Sequence, residues 1–212
     1  MKISAVRVTP IAIKDPALLN AAGVHEPFGL RSIIEVVGAN GMVGLGETYG
    51  DAPVLDLLTR VKDSLVGLFA FDVNGLLARV KAEAKLTKTA HVEMELAPGS
   101  MGDNLTSSVF SGFEVAFLDL QARSLGIPLV ELLGGAVRKL PVQSDEILVG
   151  GQVPIVGGCV HVTDKPGLGV ELDQAKLAEL HQVFLICRIR TRNDVTQMQR
   201  FRPEWSTVKL RF

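Results

Sequence analysis

An α+β architecture follows from three observations. Three apolar, β-branched runs in the first fifty residues are separated by short turns, as in an antiparallel meander. From Val54 the apolar spacing changes to the helical period. The composition, 47% hydrophobic and 21% charged, suits a chain that buries a core and not a disordered one.

The elements follow in order. Ile3, Val6 and Val8 mark a first strand over Lys2–Val8 that is expected to end at Pro10. Pro16–Gly29 reads as a loop from its Pro and Gly content, and it carries Asn20, His25 and Glu26. Arg31–Val37 is a second strand. Asn40-Gly41 supplies a tight turn, because glycine tolerates positive φ, and Met42–Thr48 returns as the third strand. Leu57, Leu58, Val61 and Leu65 then define a helix, with Asp51 as N-cap and Pro53 in its first turn. Val73–Leu86 repeats the pattern. Thr89–Asn104 is loop-like, and a helix over Ser107–Leu125 carries Val109, Phe113, Phe117 and Leu120 on one face. Gly126 and Pro128 stop it, and a short helix over Pro128–Leu133 closes at Gly134-Gly135. Beyond it, Pro141–Val149 reads as a strand and Gln152–Gly158 has no clear period. Asp173 caps a helix through about Leu185, and Pro203 breaks a weakly periodic tail.

Charge and cysteine usage narrow the partners. The net charge is −1, which offers no general attraction to nucleic acid or anionic membrane. Arg188–Phe212 holds seven basic and two acidic residues, but aromatic interleaving is sparse, so a solvated or docked tail is expected. Cys159 and Cys187 have no CxxC or Cys/His companions and read as free thiols of a reducing cytoplasm. Arg7 and Lys14 interrupt the N-terminal apolar stretch, so it does not read as a signal peptide. No run of about 18 apolar residues suggests a membrane span.

Several longer motifs carry a resemblance. Asn20–Arg31 (NAAGVHEPFGLR), Gly44–Asp51 (GLGETYGD) and Phe113–Gly135 (FEVAFLDLQARSLGIPLVELLGG) resemble the N-terminal capping domain of the enolase superfamily. Within it they are similar to the glucarate dehydratases of the mandelate-racemase-like branch. Asp164–Leu172 (DKPGLGVEL) looks like the segment that follows that family's barrel. Arg192–Gln199 (RNDVTQMQ), with Pro203 and Trp205, is similar to its extreme C-terminus. The resemblance implies a capping domain over residues 1–139, then over 140–212 a remnant of a (β/α)₈ barrel. Such a barrel takes roughly 250 residues, and 73 residues follow Lys139, so the remnant is expected not to close.

The resemblance also implies a site. In that family two cap loops contact a sugar diacid, and Asn20, His25 and Thr106 match those positions. Amide, imidazole and hydroxyl groups suit a polyhydroxy dicarboxylate, since each can bond an oxygen. Read without the family, Asn20 is a turn residue and His25 a loop histidine. Thr106 competes with Ser107 and Ser108 as a helix N-cap, and both readings of it stand.

Dehydration next to a carboxylate needs a base and a divalent cation, Mg²⁺ in this family, to hold the enediolate. The family sets a Lys-x-Lys pair, three metal ligands and a His-Asp dyad on successive barrel strands. No Lys-x-Lys occurs here, and between Lys139 and Asp164 the only carboxylates are the adjacent Asp145 and Glu146. On a strand they would point to opposite faces. Asp145 also stands where the family's first barrel strand usually has a tyrosine. No catalytic or metal-ligating residue is therefore assigned, and Mg²⁺ is not expected to bind.

Remaining motifs read as structural. Gly44-x-Gly46 and Gly167-x-Gly169 lack the third glycine of a dinucleotide fingerprint and read as turns. His91, His161 and His181 have no partner at metal spacing, and His181 is expected at a surface or interface. Glu47, Glu93, Glu95 and Glu114 read as surface or structural, with Glu114 able to cap or to pair with Arg123. The expectation is a cytoplasmic, glucarate dehydratase-like chain inactive alone. Its rivals are an assembly module for a full-length paralogue or a homo-oligomer, and a fragment left by gene decay or by misplaced gene boundaries.

Overall fold

The computed structural model describes residues 1–14, 19–20, 23–24, 26–86, 104–135, 147–151, 155–156, 159–160, 163–191 and 193–206. Its centre is an antiparallel sheet of β1 (Ile3–Lys14), β4 (Phe28–Gly38) and β5 (Val43–Tyr49), in the order β1-β4-β5. A two-residue hairpin, β2 (Leu19–Asn20) and β3 (Gly23–Val24), lies in the stretch expected to be loop. Between β4 and β5 the Asn40-Gly41 turn forms as expected. Gly41 takes φ +82, and Asn40 Oδ1 accepts from the Met42 amide at 3.2 Å.

β1 does not stop at Pro10. It continues to Lys14 because β1 is an edge of the sheet, where a missing N–H need not interrupt a ladder. Ile11 and Ala12, both fully buried, reward the extension. A register shift between Ile3 and Ala5 turns Ile3 to the same face as Val6 and Val8.

Alternation along β4 sends its side chains to two buried faces. Ile34 and Val36 meet α1 (Ala52–Ser64), α2 (Val73–Leu86) and α3 (Asn104–Leu125) through Leu57, Leu58, Val61, Leu76, Val80, Phe113 and Phe117. Removing one of these phenylalanines would cost about 3–5 kcal/mol. Asp51 is the N-cap residue of α1 by position, yet its side chain makes no cap hydrogen bond. α3 begins three residues earlier than its expected start at Ser107, because Leu105 and Thr106 are already packed inward. After α3 comes α4 (Leu129–Leu132).

The second sheet face is covered by the C-terminal part of the chain. Past the small hairpin of β6 (Ile155–Val156) and β7 (Cys159–Val160), which the aperiodic sequence did not suggest, comes α5 (Gln174–Cys187). Leu177 and Leu180 of α5 join Ile11, Ile33 and Ile147 in one cluster. Phe184 packs with Ala12 and Leu30, and Leu55 of α1 reaches the same cluster. Asp173 caps α5 as expected, accepting from the amides of Ala175 and Lys176 at 3.0 Å each. Of the strand expected over Pro141–Val149, residues 141–146 lie outside the described residues. Ile147–Val149 pairs antiparallel with Glu171–Asp173, with Val149 N to Glu171 O at 2.9 Å.

Glu35, on the strand face toward α5, is an acidic side chain that is almost fully buried. Arg7, directly opposite on β1, grips it with two bonds at 3.1 and 2.9 Å. The bond it donates to Glu35 raises the already high Arg7 pKa further, so the guanidinium stays charged at any usable pH. Gln174 of α5 donates a third bond to Glu35 at 3.3 Å. The last described helix is α6 (Asp194–Phe201), capped by Asn193 Oδ1 on the Thr196 amide at 2.9 Å. Weak apolar periodicity hid α6, although Asn193 carried the signal of a cap.

Candidate functional site

Three regions are candidates for function: the start of α3, the hairpin bearing Asn20, and the α3 carboxylate that joins β5 to the segment around Leu168.

Thr106 sits in the first turn of α3 and is 5% exposed, on the face that also carries Val109 and Phe113. The N-cap reading fails for Thr106, Ser107 and Ser108 alike, since all three lie inside a helix that starts at Asn104. Packing of Leu105 on the core draws the helix past them. The same helix end is tied to the end of β5 by Thr48 Oγ1, which donates to Ser108 O at 2.9 Å. Beside it a shallow polar cleft of about 300 Å³ is lined by Arg31, Glu47, Thr48, Tyr49 and Ser111. Arg31 closes one wall. It pairs with Glu47 at 3.0 Å and lies 5.6 Å from the Tyr49 ring centroid.

Asn20 is the last residue of β2, where its backbone pairs with Gly23. His25 lies outside the described residues. The hairpin rests on α6 in the tail. Gly23 takes φ +135, and a Cβ there would collide with the Asp194 carbonyl oxygen and lie 3.1 Å from Met198 Cβ. A span of about 170 residues of sequence therefore separates two elements in contact.

Asp119 is the residue that sequence reading missed. It is wholly buried on α3 and accepts three bonds. The Leu45 amide of β5 donates to Oδ2 at 2.8 Å, the Leu168 amide to Oδ1 at 2.6 Å, and Arg123 Nε to Oδ2 at 2.9 Å. Arg123 adds a bond from its guanidinium to Val170 O at 2.8 Å. The expected pairing of Arg123 with Glu114 does not form, since Arg123 is held four residues away by Asp119. An acid four residues before an arginine on a helix was the available signal.

The glycine motifs divide. Gly167 and Gly169 are turn residues at φ +72 and +70, as expected. Gly44 and Gly46 are instead strand residues of β5. Side chains there would run into the Ala116 and Gly112 carbonyls, so they let α3 lie close on the sheet. His181 stands at an interface within the fold. Its Nδ1 is 2.7 Å from Pro10 O, which fastens α5 to β1. Cys187 is a free thiol whose Sγ donates to Phe184 O at 3.3 Å.

As for a metal, the described residues do not fit magnesium. Among them no three His, Cys, Asp or Glu side chains converge. The two most deeply buried carboxylates described, Asp119 and Glu35, spend their oxygens on backbone amides, arginine and glutamine. Asp145 and Glu146 lie outside the described residues. Among the described residues no helix is long and apolar enough to cross a membrane.

Comparison with known proteins fits this geometry. A "probable glucarate dehydratase" from Streptomyces coelicolor is 43% identical over 143 residues, 65% of this chain and 33% of that protein. The match thus spans about a third of the relative's length. The crystal structure of an enolase from Pseudomonas fluorescens Pf0-1, with bound magnesium, potassium and tartrate, superposes with a TM-score of 0.91 at 27% identity. That match covers 100% of this chain and 99% of the other. An enolase from Thermobispora bispora, complexed with magnesium and formate, shares the fold at TM-score 0.83 and 21% identity, over 98% of this chain and 99% of that one. Residues 3–134 match the family described as the mandelate racemase / muconate lactonizing enzyme N-terminal domain, and the chain belongs to that family within the enolase superfamily.

Proposed function

We propose that this chain is a glucarate dehydratase-like capping unit that does not dehydrate D-glucarate by itself. Residues 1–139 serve as the cap and 140–212 as what remains of the barrel with its trailing segment. The observation that carries this reading is the Asp119 junction. It holds Leu45 in the head and Leu168 in the tail on one carboxylate, which supports reading the two segments as one packed unit. Asn20, His25 and Thr106 are the cap's contacts to a sugar diacid, carried over from the family. The family's dehydration uses magnesium, and the described side chains form no group able to hold it. Sequence supplies no Lys-x-Lys base pair either. The free Cys187 thiol agrees with a cytoplasmic protein.

The test is a colorimetric assay for the keto-deoxy product from D-glucarate, with magnesium supplied. We expect none above the no-enzyme control. Product that disappears on chelation would overturn the reading.

One observation favours an assembly role as the second reading. On α5, Leu185 and Ile186 are 46% and 75% exposed although the opposite side of the helix is buried. A helix apolar on both sides belongs under cover. Size-exclusion chromatography, with and without a full-length relative, distinguishes self-association or pairing from a monomer.

A further inference from the structure

We propose that α6 is the seat of the β2–β3 hairpin, so that the first turn of a tail helix sets where the Asn20 loop stands. The ligand consequence rests on the cap reading above, but the contact does not. Gly23 is the centre of the argument. Its φ of +135 is open to glycine and strained for any L-residue. Its missing side chain leaves the space that the Asp194 carbonyl and Met198 Cβ occupy. Two independent demands, conformation and clearance, therefore fall on one residue, and both arise where the hairpin meets α6.

The two partners are also weak when apart. A two-residue ladder does not stand alone. An eight-residue helix is too short to persist without packing, and α6 buries no residue fully. Each packs on the other, and the Asn193 cap on the Thr196 amide adds to α6. Their order is therefore coupled, and the coupling is reciprocal. Met198 and Asn193 become positioning residues for Asn20, although they stand more than 170 positions from it in sequence.

Hydrogen exchange on the full chain, without ligand, tests this from both sides. Asn193→Ala removes an exposed cap and spares the core. It should speed exchange at the amides of Asn20 and Gly23, the hydrogen-bonded pair of the hairpin, by about tenfold while those of Ile33–Val37 stay unchanged. Gly23→Ala should do the converse and loosen α6. Trp205, the single tryptophan, follows α6 and is tied to it by Gln199 Nε2 at 3.0 Å from its carbonyl, so its emission should shift. If Asn193→Ala loosens α6 while the hairpin amides stay within about twofold of wild type, the two are not coupled and the proposal is overturned. An unmoved Trp205 spectrum in Gly23→Ala would overturn it as well. Neither readout uses glucarate, so failure of ligand binding leaves this result standing, and the reverse.

Discussion

Gly167 lies against the Asp119 carboxylate with no room for a side chain between them. The glycine turns the tail at φ +72, and the next amide, Leu168, then points at Asp119 Oδ1 from 2.6 Å. On its other side Gly167 bonds the link from α3 into α4, with its amide to Ile127 O at 2.9 Å and the Leu129 amide to its carbonyl at 2.8 Å. One buried carboxylate and one bare backbone position thus join strand, helix and tail. A carboxylate with about four lone-pair sites can serve three donors, and a neutral amide cannot.

Asp119→Ala should therefore destabilise the fold strongly. It strands the Leu45 and Leu168 amides and the Arg123 guanidinium in a buried place, at a cost of about 3–5 kcal/mol. Gly167→Ala should cost at least about 1–3 kcal/mol from strain alone. Together the two changes should fall short of their sum, because each breaks the same seam. Urea unfolding of the two single variants and the double variant measures this. A loss below about 1 kcal/mol for Asp119→Ala would mean that the seam is not a structural joint.

Cleavage of the backbone between residues 143 and 158 should not separate the pieces. The aperiodic stretch Gln152–Gly158 within it is rich in Gly, Val and Pro and suits such a cut. Yet Leu177, Leu180 and Phe184 are buried against the strands of the head. At about 1.5–3 kcal/mol for each such side chain, the contact outlasts a nick. The nicked protein should elute as one species in native size exclusion and as two in denaturant. Separation under native conditions would show that the head stands without α5.

The sequence carried the local rules well and the long-range ones poorly. Val73–Leu86 was legible because its apolar spacing answers to a helix whatever surrounds it. The ends of β1 and α3 were not. Proline signalled a stop for β1 and hydroxyl residues a later start for α3, and packing of the buried Ile11 and Ala12 and the partly buried Leu105 overrode them. Asp119 escaped notice because its donors, Leu45 and Leu168, lie 74 and 49 residues away and are backbone amides, which leave no mark in a sequence. For the candidate site, the family motifs named Asn20, His25 and Thr106. No pattern of residue types could have pointed to α6 beneath Gly23, since its contribution there is a backbone carbonyl and a Cβ.

The neutral imidazole of His181 should carry its hydrogen on Nδ1. Its partner, the Pro10 carbonyl at 2.7 Å, can only accept, so the nitrogen facing it must donate. Long-range ¹H–¹⁵N correlation of the ring reads the tautomer directly. An unprotonated Nδ1 in the neutral form would show that α5 and β1 are not hydrogen-bonded there.

Glucarate should bind this chain no tighter than millimolar. By family resemblance the cap offers Asn20, His25 and Thr106, all neutral donors or acceptors when His25 is uncharged. Each hydrogen bond is worth about 0.5–1.5 kcal/mol net. Association costs about 4 kcal/mol or more in lost freedom. Three such bonds scarcely offset that cost, and the described residues add no metal to neutralise a carboxylate. The cleft beside α3 does hold Arg31, but Glu47 already pairs with it at 3.0 Å, so a dianion would have to displace a carboxylate to use it. Thr106, 5% exposed, must also be uncovered before it can make its bond, which lowers the sum further. Titration with glucarate, followed through the His25 ring resonances, measures the affinity. A saturating shift with a dissociation constant below about 0.1 mM, or about −5.5 kcal/mol, would contradict this sum and make the cap a binding module in its own right.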